Sequence, residues 1–98
     1  MNAGSRVPDF KRRIVLEYLS RHFRDSKLGE TYDHEQDLYV FRLSQRGSRL
    51  LLAVSGDFFE KRRPHDISRH LEHFNVAKVL LALRDVILTN QGIRKQLR

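Results

Sequence analysis

The chain predicts an α+β domain, on three observations. Tyr39-Val40-Phe41-Arg42-Leu43 alternates large apolar with smaller or polar residues, the period-2 pattern of a half-buried strand. Leu50-Leu51-Leu52-Ala53-Val54 is a second short apolar run, joined to the first by Ser44-Gln45-Arg46-Gly47-Ser48. Helical spacing precedes this pair, from Phe10 to Phe23, and returns after it from Asp66 onward.

Taken in order, residues 1–8 are polar and without pattern and read as a flexible tail ahead of one globular domain, 9–98. Asp9 is placed to cap a helix over 10–24. Phe10, Ile14, Val15, Tyr18, Leu19 and Phe23 form its apolar face, with Arg13, Glu17, Ser20 and Arg24 opposite. Asp25 to Gly29 reads as the helix exit, with Gly29 free to take a positive φ. Thr31-Tyr32 marks a short first strand, followed by the charged turn Asp33-His34-Glu35-Gln36-Asp37. An antiparallel hairpin then spans 38–44 and 49–55, with Arg46-Gly47 at the turn. Both faces of 50–54 are apolar, which places that strand centrally or covers it twice.

Gly56 to Glu60 reads either as one helical turn or as a strand exit. Pro64 interrupts any helix running from 57 to 74. Ile67, Leu71 and Phe74 define one helical stripe, and Val76, Val79, Leu80, Leu83, Val86 and Ile87 another, out of phase by about 160–180°. A break at Asn75 resolves the mismatch and gives helices over 66–74 and 76–84, whereas a single long helix would have to be buried on both sides. Val86 to Thr89 has two readings, a continuation of the helix or a late strand joining the sheet. Asn90-Gln91-Gly92 is a turn signal, and Ile93 with Leu97 suits a final short helix.

A length of 98 residues corresponds to one domain with an adequate core. The absence of cysteine excludes disulfides and thiolate chemistry and permits a cytoplasmic setting. No uninterrupted apolar run is longer than Val79 to Leu83, far short of the ~20 residues that cross a bilayer, so no membrane partner is expected. The formal net charge is +7 but unevenly spread: residues 28–40 carry four acids and no Lys or Arg, and residues 41–56 carry three arginines and no acid. A net positive surface attracts polyanions, so DNA or RNA is the first partner considered.

Candidate phosphate contacts are Lys61, Arg62 and Arg63, a basic run ahead of a helix N-terminus, and Arg46, with Arg42 and Arg49 beside the hairpin. Tyr39 and Phe41 could stack bases from a sheet face, but their alternation with Arg42 assigns them to the core. The competing function is protein interaction or homodimerisation without catalysis, through Val79, Leu80, Leu83 and Ile87, or through the twice-apolar strand 50–54. His65, His70 and His73 lie close together, yet no Cys and no His-Glu-x-x-His pattern completes a metal set. Gly47, Gly56 and Gly92 are isolated and build no phosphate loop. Catalytic residues, metal and cofactor are all left unassigned, and the chain reads as non-enzymatic.

Overall fold

The computed structural model describes residues 7–96. Helix α1 (Asp9–His22) is followed by the meander β1 (Lys27–Asp33), β2 (Leu38–Gln45) and β3 (Ser48–Ser55). Three helices follow, α2 (Gly56–Glu60), α3 (Pro64–His73) and α4 (Val76–Leu83), before the hairpin β4 (Asp85–Thr89) and β5 (Gly92–Lys95). The strands form one sheet in the order β1-β2-β3-β4-β5. Neighbours are antiparallel except β3 and β4, which run parallel because the α2–α4 crossover returns the chain to the same end of the sheet. The radius of gyration is 12.4 Å, as expected for a compact domain of this length. No helix among the described residues is long and apolar enough to cross a membrane.

The α+β class, the central hairpin and the helix break all appear. Gln45 pairs with Ser48 across the two-residue turn Arg46-Gly47, whose φ values of 48° and 81° are those of a type I′ turn. Asn75 takes φ 51° and ends the run of α3 before α4 begins, so Ile67 and Leu71 on one helix and Val76, Ala77 and Leu80 on the next all reach one core. Of the two readings for Val86–Thr89, the strand is the one observed: β4 lies beside β3.

Several expectations need correction. The first strand is seven residues long and takes in Leu28 and Gly29, where the sequence suggests a helix exit. Residues 92–95 form an edge strand, not a helix, because the turn at Asn90-Gln91 folds Ile93 back against Leu88; Leu97 lies outside the described residues. The sheet is mixed, not purely antiparallel. Pro8, not Asp9, occupies the α1 N-cap position, and the Asp9 carboxylate pairs with Arg12. Phe10 is 57% exposed in the first turn of α1, outside the core that its spacing suggests. The tail of residues 1–8 falls mostly outside the described residues, and its described part is not loose: Val7 is buried, with its N–H donating to the Tyr39 hydroxyl at 3.3 Å.

One hydrophobic cluster holds the layers together. Tyr39, Phe41, Leu43, Leu50, Leu52, Val54, Val86 and Leu88 supply the sheet side, and all four helices pack onto them. Phe58 and Phe59 of α2 and Leu80 of α4 are fully buried there. The Tyr18 hydroxyl accepts the Ala77 N–H at 2.9 Å, satisfying one of the free donors that open α4. The Lys11 ammonium donates to the Phe59 carbonyl at 2.8 Å and ties α1 to the end of α2. The opposite face of the sheet carries Val40, Arg42, Arg49, Leu51, Ala53 and Ile87. None of these belongs to the core cluster or packs on it.

Candidate nucleic-acid interface

Sequence separation and spatial separation differ sharply for the candidate cations. Ser44 pairs with Arg49 and Arg42 with Leu51, so Arg42 and Arg49 are diagonal neighbours on the sheet face that no helix covers, about 7–8 Å apart at Cα. The Arg42 guanidinium reaches over Gly29 of β1, with Nη2 3.1 Å from the point a Cβ there would occupy. Arg46 stands at the tip of the same hairpin. A shallow cleft beside it is lined by Ser26, Gln45, Arg46, Leu50, Leu81 and Arg84, among others, with no carboxylate among the described residues of the lining.

Arg84 has no mark in the sequence. It ends α4 with φ 70°, its N–H donating to the Leu80 carbonyl and its own carbonyl accepting the Leu51 N–H, each at 2.8 Å. Four non-glycine residues among those described have positive φ: Asp37, Arg46, Asn75 and Arg84. Asp and Asn tolerate this region because their short side chains bond locally; arginine has no such advantage. The two arginines that hold it line the same cleft.

The basic run Lys61-Arg62-Arg63 sits elsewhere. It follows α2, at the far end of β3, about 20 Å along the strand from Arg49. That end also holds the acids. The Gly56 N–H donates to the Asp37 carbonyl at 2.9 Å, which brings α2 against the β1–β2 turn. Ligand oxygens of Asp37, Asp57 and Glu60 lie within 4.8 Å of one another, and Asp37 accepts the Tyr32 hydroxyl at 2.7 Å. Arg62 is engaged inside the fold. Its guanidinium stacks over the Phe58 ring at 4.1 Å and donates to the Phe58 carbonyl at 3.1 Å and to the Asn90 side chain. Burial draws that guanidinium below its ordinary pKa, against the pull of Asp66.

The remaining candidates are dispersed. Tyr39 and Phe41 are buried in the core, which leaves no strand aromatic on the uncovered face among the described residues. Leu80 is fully buried and cannot form an interface; Val79 and Leu83 pack partly against the core, and Ile87 lies across the sheet from them on the other face. The four residues do not make one surface. His70 bonds the Asp66 carbonyl through Nδ1 at 2.8 Å and sits edge-on to Phe58. His65 lies 3.3 Å from the Asp66 carboxylate, and His73 packs beside Phe74.

These features define a small α+β domain with Arg46 and Arg84 beside one cleft at the hairpin end of the sheet and Asp37, Asp57 and Glu60 together at the other end. In comparison with known protein families, curated proteins and solved structures, nothing matches the chain.

Proposed function

We propose that this domain binds nucleic-acid phosphate backbones, without reading sequence, through the hairpin end of its sheet. Arg42, Arg46, Arg49 and Arg84 are the carriers. The reading rests above all on Arg46 and Arg84, two arginines in backbone conformations that favour Gly or Asn, beside one cleft with no carboxylate among its described lining residues. Strain tolerated at two neighbouring positions points to a use for the side chains held there. Arg42 and Arg49 extend the cationic surface onto the adjoining sheet face. With the strand aromatics buried, base stacking has no platform on that face, so phosphate contact is the mode the chemistry favours.

Fluorescence anisotropy with labelled duplex and single-stranded oligonucleotides tests this. Binding in the micromolar range or tighter is expected at low salt, falling steeply as salt rises. The double reversal Arg42→Glu/Arg49→Glu should lower the slope of log affinity against log salt by about 2, near 0.9 for each phosphate that is no longer neutralised. Lys61→Glu/Arg63→Glu, at the acidic end, should change it little. Binding abolished only in the second variant would transfer the phosphate site to the run after α2.

A further inference from the structure

We propose that the free edge of β1 pairs with β1 of a second copy of this chain, antiparallel and centred on Glu30, joining two sheets into one. This does not rest on the nucleic-acid reading. Among the described residues β1 is an outer strand of the sheet, seven residues long. Such an edge presents a row of backbone donors and acceptors that invite another strand. It also carries Leu28, which with Phe10 and Leu81 is one of three large apolar residues exposed among those described.

The sequence Lys27-Leu28-Gly29-Glu30-Thr31-Tyr32-Asp33 is complementary to itself when reversed. Centred on Glu30, antiparallel pairing sets Lys27 opposite the partner's Asp33, Leu28 opposite the partner's Tyr32 and Gly29 opposite the partner's Thr31, each twice by symmetry. The pleat sorts these contacts. Lys27, Gly29, Thr31 and Asp33 share the face of Arg42, so both ion pairs form on the uncovered side. Leu28, Glu30 and Tyr32 share the face of Phe41, so both apolar contacts form on the helical side. There, Leu16 and Leu28 line a cleft between α1 and the strand. A slide by two residues would set Lys27 opposite Thr31 in one direction, or past the end of β1 in the other, and either way separate Lys27 from Asp33.

The one like-charge pair, Glu30 against Glu30, is already compensated. Each Glu30 accepts from its own Arg12 at 2.8 Å. Burial draws the Arg12 guanidinium down, but the bond and charge of Glu30, with Asp9, hold it above its ordinary pKa. The Glu30 carboxylates therefore meet at the symmetry axis each paired with a guanidinium, which Arg12 shares with the more exposed Asp9. The axis runs perpendicular to the joined sheet, so both uncovered faces look the same way and the two hairpin ends point in opposite directions.

Sedimentation equilibrium of the full chain across a concentration series should give twice the 11.6 kDa monomer mass. Lys27→Glu, which sets two like charges opposite Asp33, should weaken the dimer about tenfold or more. The register is read by cross-linking, since the chain contains no other cysteine. Under mild oxidation Glu30→Cys should form a disulfide-linked dimer, because directly opposed residues lie about 4.5–5.5 Å apart at Cα. Thr31→Cys should not, because its nearest copy is offset by two residues and beyond disulfide reach. A monomer mass at every concentration, or equal cross-linking of the two cysteine variants, would overturn the proposal.

Discussion

Arg46→Asn/Arg84→Gly should make this protein more stable and less able to bind. Arg46 holds φ 48° at the first turn position of the β2–β3 hairpin, where type I′ geometry favours Asn or Gly. Arg84 holds φ 70° after the last turn of α4, a position that commonly takes Gly. Relieving one non-glycine residue from this region is worth about 1 kcal/mol, less what glycine adds to the freedom of the unfolded chain. The backbone bonds of Arg84 to Leu80 and Leu51 involve no side chain and persist in the variant. The two changes together should add roughly 1–2 kcal/mol, raising the melting temperature by about 4–16 °C in a domain this size. Urea melts would show the same gain as a higher midpoint at unchanged slope. Anisotropy on the same samples should show weaker oligonucleotide binding and a salt slope shallower by about 2. A variant that melts at or below the wild-type temperature, or binds as tightly, would refute the claim that strain is held at this cleft for the sake of its cations.

Tyr18→Phe should cost about 1–3 kcal/mol, because it strands the buried Ala77 N–H at the start of α4. Burial raises the Tyr18 pKa above its usual value, so the folded state retains a proton the unfolded state releases; the contribution of Tyr18 to stability should be constant below pH about 10 and fall above it, so the gap between wild type and Tyr18→Phe should narrow there in pH-dependent urea melts. Gly56→Ala would drive a Cβ into the Asp37 carboxylate and should destabilise by about 1–3 kcal/mol. In a Tyr32→Phe background that cost should shrink, since the Tyr32–Asp37 bond that fixes the carboxylate is already gone; equal costs in both backgrounds would separate the two contacts.

The central hairpin was legible because Tyr39, Phe41 and Leu43 alternate cleanly and meet Val54, Leu52 and Leu50 across it. The break at Asn75 was legible because two apolar stripes out of phase cannot share one straight helix face. The edges were not. β1 carries Lys27, Gly29, Glu30 and Asp33, and β5 carries Arg94 and Lys95, polar residues and a glycine that interrupt the apolar alternation by which a strand is read. The parallel pairing of β3 with β4 arises from the three-helix crossover and has no local signature.

The site was half legible. Arg42, Arg46 and Arg49 stand out through their place around the hairpin turn, but Arg84 reads in sequence as an ordinary cation after a helix. Only its positive φ and its place across from Arg46 set it apart. The run Lys61-Arg62-Arg63 drew weight from contiguity, yet the fold stacks Arg62 on Phe58 and leaves the run among the acids near Asp57 and Glu60.

Amide chemical-shift mapping during an oligonucleotide titration tests the phosphate-binding reading most directly. It predicts salt-sensitive shifts concentrated at residues 42–50 and at Arg84, with residues 57–63 almost unmoved. Shifts centred on Lys61 to Arg63, or none at low salt, would contradict it.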